Sequence, residues 1–67
     1  MYEIIGIDFG VKEYTVAFSV HEKDGTITLK RFEDVKCRDP LTPEEKKKIC
    51  ENYSKKYKAE VRYDATP

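Results

Sequence analysis

Tyr2–Phe9, reading Tyr-Glu-Ile-Ile-Gly-Ile-Asp-Phe, places apolar side chains on both sides of an extended strand, Ile5 and Ile7 on one face and Tyr2 and Ile4 on the other. A strand apolar on both sides belongs in the interior of a sheet that is covered on both faces. Downstream, Gly10-Val11-Lys12-Glu13 makes a short connection in which Gly10 can take a positive φ. Tyr14–His21 then alternates Tyr14, Val16, Phe18 and Val20 against Thr15, Ala17, Ser19 and His21, the pattern of a second strand. Lys23-Asp24-Gly25 carries the Asp-Gly hairpin signal, so a third strand, Thr26–Phe32, is expected to return antiparallel.

A polar stretch, Glu33–Leu41, reads as a loop and leads to Thr42-Pro43-Glu44-Glu45. Here Thr42 can cap a helix, Pro43 suits its first position and Glu45 completes a capping box. The helix is expected to run to about Tyr57, with Ile49, Cys50, Tyr53 and Tyr57 as its apolar stripe. Glu44 with Lys48, and Glu51 with Lys55, are expected as supporting pairs on the opposite face. Ala59–Asp64 alternates again and reads as a fourth strand that ends on an acid. A right-handed crossover brings this strand parallel to the first and beside it. The predicted fold is therefore α+β, βββαβ, a mixed sheet of order 3-2-1-4 with the helix on one face. One helix leaves the other face open, which calls for a homodimer or a larger partner.

The composition fits a single small domain: 67 residues, 39% apolar and 39% charged, with 13 basic side chains against 13 acidic ones. Zero net charge argues against bulk electrostatic attachment to nucleic acid and leaves room only for a local basic face. A mean hydropathy of −0.75 and the lack of a long apolar run exclude a membrane-spanning helix and a signal peptide, so a cytoplasmic location is expected. Cys37 and Cys50 form neither a CxxC pair nor half of a zinc ligand set, and Cys50 falls on the apolar stripe of the helix. Lys46-Lys47-Lys48 and Lys55, Lys56 and Lys58 spread around the helix among glutamates and read as a solvated face.

Chemistry concentrates at one end of the predicted sheet. Parallel neighbours end side by side, and the first and fourth strands end on Asp8 and Asp64. Two carboxylates at the carboxyl ends of adjacent strands suit Mg²⁺ or Mn²⁺, hard cations that prefer oxygen ligands. A metal held there can activate water against a phosphodiester. The structural alternative for Asp8 is a turn residue that accepts hydrogen bonds from the amides around Gly10. For Asp64 it is a polar residue near the chain terminus.

Ile4-Ile5-Gly6-Ile7-Asp8-Phe9-Gly10 followed by Tyr14–Val20 resembles the opening hairpin of ribonuclease H-like nucleases. Val61-Arg62-Tyr63-Asp64-Ala65-Thr66-Pro67 looks like the fourth strand and following turn in the nuclease domain of large terminase subunits of tailed phages. The resemblance implies that Asp8 and Asp64 bind divalent metal and are catalytic in cutting DNA; under that reading Lys12, in the connection after the first strand, is the candidate phosphate contact. It covers the N-terminal half of that fold, so the 67 residues are expected to form one truncated domain without the family's later third acid. Because many such enzymes carry a further carboxylate on the first helix, Glu45 is the candidate third acid, in competition with its capping role. The absence of a GxxxxGK[ST] loop excludes a packaging motor within this stretch.

Two other readings stay open. One is a non-catalytic remnant that dimerises or binds a partner through the open sheet face. The other rests on Gly6-Ile7-Asp8-Phe9-Gly10, which also looks like the first phosphate-binding hairpin of actin-like ATPases, although Val11 stands where that family has Ser or Thr.

Overall fold

The structure, a computed structural model, describes residues 1–63. Its elements are β1 (Tyr2–Phe9), β2 (Glu13–His21), β3 (Ile27–Lys36), α1 (Pro43–Tyr57) and β4 (Glu60–Tyr63). The sheet has the order β3-β2-β1-β4, with β1 antiparallel to β2, β2 antiparallel to β3, and β4 parallel to β1. The α+β class, strand order and single helix agree with the sequence pattern. No helix among the described residues is long and apolar enough to cross a membrane.

Ile5, Ile7, Val16 and Phe18 project from the two central strands toward α1 and meet Cys50 and Ala59, with Tyr53, Tyr57 and Val61 packed around them. Ile5 and Val16 are the largest fully enclosed side chains. Burying each removes apolar surface worth roughly 1.5–3 kcal/mol. Toward β3 the core closes with aromatic rings. Tyr57 and Tyr53 set their edges against Phe18 at centroid distances of 5.1 and 6.2 Å, and the Arg31 guanidinium lies 4.2 Å over the Phe18 ring. Burial, with Tyr14 and the Glu33 carboxylate nearby, pushes the Tyr53 hydroxyl up to about 12.

Helix α1 starts as its sequence predicts. The Glu45 amide donates to Thr42 Oγ1 at 3.1 Å, and the Thr42 amide donates to Glu45 Oε1 at 3.1 Å. It ends on Lys58 in the left-handed region, φ 51°. The Lys58 and Ala59 amides both donate to the Ser54 carbonyl, and Ser54 Oγ donates to the Ala59 carbonyl at 3.1 Å. This reversal sends the chain directly into β4.

Several local expectations are corrected. Strand β3 continues through Lys36, because Glu33, Asp34, Val35 and Lys36 pair with Val16, Thr15, Tyr14 and Glu13. An edge strand tolerates charges that a loop reading would assign to solvent, and here Thr15 Oγ1 donates to Asp34 at 2.8 Å while Lys36 pairs with Glu13 at 3.5 Å. Gly10 does not take a positive φ; only Gly25 does among the glycines. Its amide instead donates to the Glu13 carbonyl at 2.7 Å, and a Cβ there would stand 3.1 Å from the Glu13 side chain, so close approach is what favours glycine. The Glu44–Lys48 and Glu51–Lys55 pairs do not form; the ion pairs among the described residues are Arg31–Glu33, Lys36–Glu13 and Arg62–Glu60. Exposed helical pairs gain little against side-chain entropy, and two neighbouring lysines lie over rings, Lys46 over Phe9 and Lys56 over Tyr57. Tyr63 is 49% exposed with Phe9 at its edge. Both cysteines are free, and burial pushes the Cys50 thiol up.

Candidate functional site

Among the described residues, no element packs on the face of the sheet opposite α1. Cross-strand register places Arg62, Gly6, Ala17 and Phe32 in one row, and Asp8, Thr15 and Asp34 in the next. Gly6 and Ala17 have almost no side chain, so the sheet dips between Arg62 and Phe32 into a shallow trough of about 480 Å³. A Cβ built on Gly6 would meet nothing within 4 Å. Asp8 and Thr15 line the end of the trough nearest the carboxyl end of β1. Arg62 is steadied by Glu60, whose Oε2 lies 3.0 Å from both its Nε and Nη2.

Asp8 is exposed on the strand that is central by sequence and by position. It accepts no hydrogen bond and forms no ion pair among the described residues, since the Gly10 amide that a turn aspartate would accept is given to Glu13. The turn explanation for this carboxylate therefore fails. β1 and β4 stay in register through Ile7 and Tyr63, which keeps the carboxyl end of β4 beside Asp8. Asp64 itself lies outside the described residues.

The remaining candidates have backbone or capping roles. Lys12 is exposed in the bend between β1 and β2, at the same end of the sheet as Asp8, and its carbonyl accepts from the Cys37 amide at 2.7 Å. With Leu41 N–H donating to the Val11 carbonyl at 2.9 Å, this bond ties the bend to the segment after β3. Glu45 is committed to the capping box.

The described residues do not complete a metal site. No group of three His, Cys, Asp or Glu side chains among them could hold an ion. Asp34, the other acid in the row of Asp8, sits two strands away, about 10 Å at ordinary strand spacing, too far for both to bind one cation at 2.0–2.6 Å. Thr15 between them gives its proton to Asp34. Asp8 thus offers one carboxylate, too few ligands to hold an ion by itself.

Sequence reasoning missed the trough, because Gly6 and Ala17 become neighbours of Arg62 and Phe32 only through strand register. The available signal was two small residues at facing positions in adjacent strands. No family model, curated protein or solved structure matches this chain.

Proposed function

We propose that the chain is a nuclease-like module of the ribonuclease H-like class, similar to the nuclease domain of terminase subunits, that holds Mg²⁺ or Mn²⁺ between Asp8 and Asp64 and contacts DNA at that end. The observation that carries this reading is the exposed Asp8 carboxylate, without a structural partner among the described residues, at the end of β1 where parallel β4 lies alongside. The strand order β3-β2-β1-β4 with α1 between β3 and β4 supports the same relationship. When bound, the cation would supply Lewis acidity toward a phosphate and a more acidic water. Asp8 contributes a charged oxygen ligand, and Lys12, exposed at the same end, is available to a phosphate. With two carboxylates in all, the stretch binds metal weakly and hydrolyses DNA poorly by itself. The test is equilibrium Mn²⁺ binding with Asp8→Asn and Asp64→Asn. Each substitution is expected to remove the same single site, and retention of that site in both variants overturns the reading.

A second reading is a non-catalytic, self-associating domain. Tyr2, Ile27, Leu29 and Phe32 support it, being between 51% and 62% exposed on the open face. Small monomeric domains seldom leave such a row of large apolar side chains to water.

A further inference from the structure

We propose that β3 pairs with β3 of a second copy, antiparallel about a two-fold axis at Phe32, so that two four-stranded sheets join into one continuous sheet. The inference specifies the self-associating reading above and owes nothing to metal binding.

Strand β3 ends the sheet order, so the backbone groups on its outer side have no partner strand among the described residues. This edge is 10 residues long, whereas the opposite edge, β4, has four described residues. An open edge of that length is a template for another strand. Charges usually protect such edges, and β3 carries them in a particular order: Lys30-Arg31-Phe32-Glu33-Asp34, two bases, a ring and two acids.

That order selects the partner. In an antiparallel pairing centred on Phe32, the ring faces its own copy and Arg31 faces Glu33 of the second copy, twice by symmetry. The β-bulge in β3 fits this arrangement. Phe18 pairs with Arg31 and Ser19 with Leu29, leaving Lys30 as the extra residue. Lys30 and Arg31 then share Glu33 of the second copy, and Leu29 faces its Asp34, a residue on the same side of the sheet. Parallel in-register stacking instead sets Arg31 on Arg31 and Glu33 on Glu33, which is repulsive. The charges therefore reject open-ended stacking and accept one closed pair.

The side chains concerned are accessible. Phe32 is 61% exposed, and the Arg31 and Glu33 side chains, which pair with each other at 3.2 Å within one chain, are 52% and 36% exposed and can exchange that pair for two across the axis. A two-fold perpendicular to the sheet keeps both helices on one side and both open faces on the other. The two Phe32 rings then meet on the open face.

The test uses sedimentation velocity on the whole chain over a concentration series. Wild type is expected to approach twice its 7.9 kDa mass. Lys30→Glu/Arg31→Glu, acidic throughout the segment, and Glu33→Lys/Asp34→Lys, basic throughout, are each expected to stay at the monomer mass. An equimolar mixture should recover the doubled mass. A wild type that remains monomeric overturns both this pairing and the self-associating reading. A dimer that survives in both variants overturns the pairing alone and puts the second copy on the open face. Should a charge variant fail to fold, Phe32→Cys in a Cys37→Ser background decides the matter. Facing positions lie within disulfide reach, so mild oxidation should cross-link it to a dimer, whereas Lys36→Cys should not cross-link. Equal cross-linking at both positions contradicts the proposal.

Discussion

The reciprocal bonds between Thr42 and Glu45 allow a prediction that separates stability from function at the same side chain. Thr42→Ala leaves the Glu45 amide without its acceptor at 3.1 Å, a loss of about 1 kcal/mol. For a domain of this size that is about 4–8 °C in Tm. It is a substantial share of a total stability of roughly 3–10 kcal/mol, scaled from about 0.05–0.15 kcal/mol per residue. Glu45→Ala removes the bond to the Thr42 amide and a favourable charge at the helix start, together about 0.5–1 kcal/mol. Glu45→Gln keeps an acceptor in place and should cost under about 0.5 kcal/mol. Thermal melts followed by far-UV circular dichroism give these differences, and a double-mutant cycle over Thr42 and Glu45 should show coupling, because the two bonds form one motif. Mn²⁺ affinity measured on the same proteins should be unchanged in Glu45→Gln. A Tm unaffected by Thr42→Ala refutes the capping account, and loss of Mn²⁺ binding in Glu45→Gln makes Glu45 a metal ligand after all.

Other consequences follow from the packing. Lys58 occupies the left-handed region at φ 51°, so Lys58→Gly should raise stability by about 0.5–1 kcal/mol in urea melts, and a lower midpoint contradicts this. Ile5 is 1% exposed at the centre of the core, so Ile5→Val should cost about 0.5–1.5 kcal/mol and Ile5→Ala about 2–5 kcal/mol, enough to unfold much of the population. Fully cooperative melts of Ile5→Ala at the wild-type temperature would show the core to be misassigned. Tyr53 holds its proton to about 12 in the folded chain, above its ordinary value of 10.0, so the unfolded chain releases that proton first. The resulting stability is complete below pH 10.0 and is lost as pH rises toward about 12. Tyr53→Phe should therefore flatten alkaline unfolding over that window, and an unchanged curve refutes the assignment.

The parts of the fold that were legible in the sequence are those written in local patterns. Two-residue alternation gave β2, isoleucines on both faces made β1 central, and Thr42-Pro43-Glu44-Glu45 marked the start of α1 to the residue. The end of β3 was hidden because Glu33, Asp34 and Lys36 carry loop chemistry, and their strand conformation comes from pairing with β2. Gly10 was misread because its need is proximity to Glu13, and a sequence records the glycine without recording its neighbour. At the candidate site, Asp8 was identifiable from its place at the end of an apolar strand. That its structural alternative is absent became visible only with the Gly10–Glu13 hydrogen bond, and the trough beside it only with the register that sets Gly6 against Ala17.

If the chain is the nuclease-like module proposed above, Asp8 belongs to a divalent-cation site at the carboxyl ends of β1 and β4. Paramagnetic broadening of backbone amides by substoichiometric Mn²⁺, read at every residue, tests it most directly. Broadening should concentrate on the residues around Asp8 and Asp64, reverse with excess Mg²⁺ and vanish in Asp8→Asn. Broadening spread over the glutamates of α1 and unchanged in Asp8→Asn would contradict it.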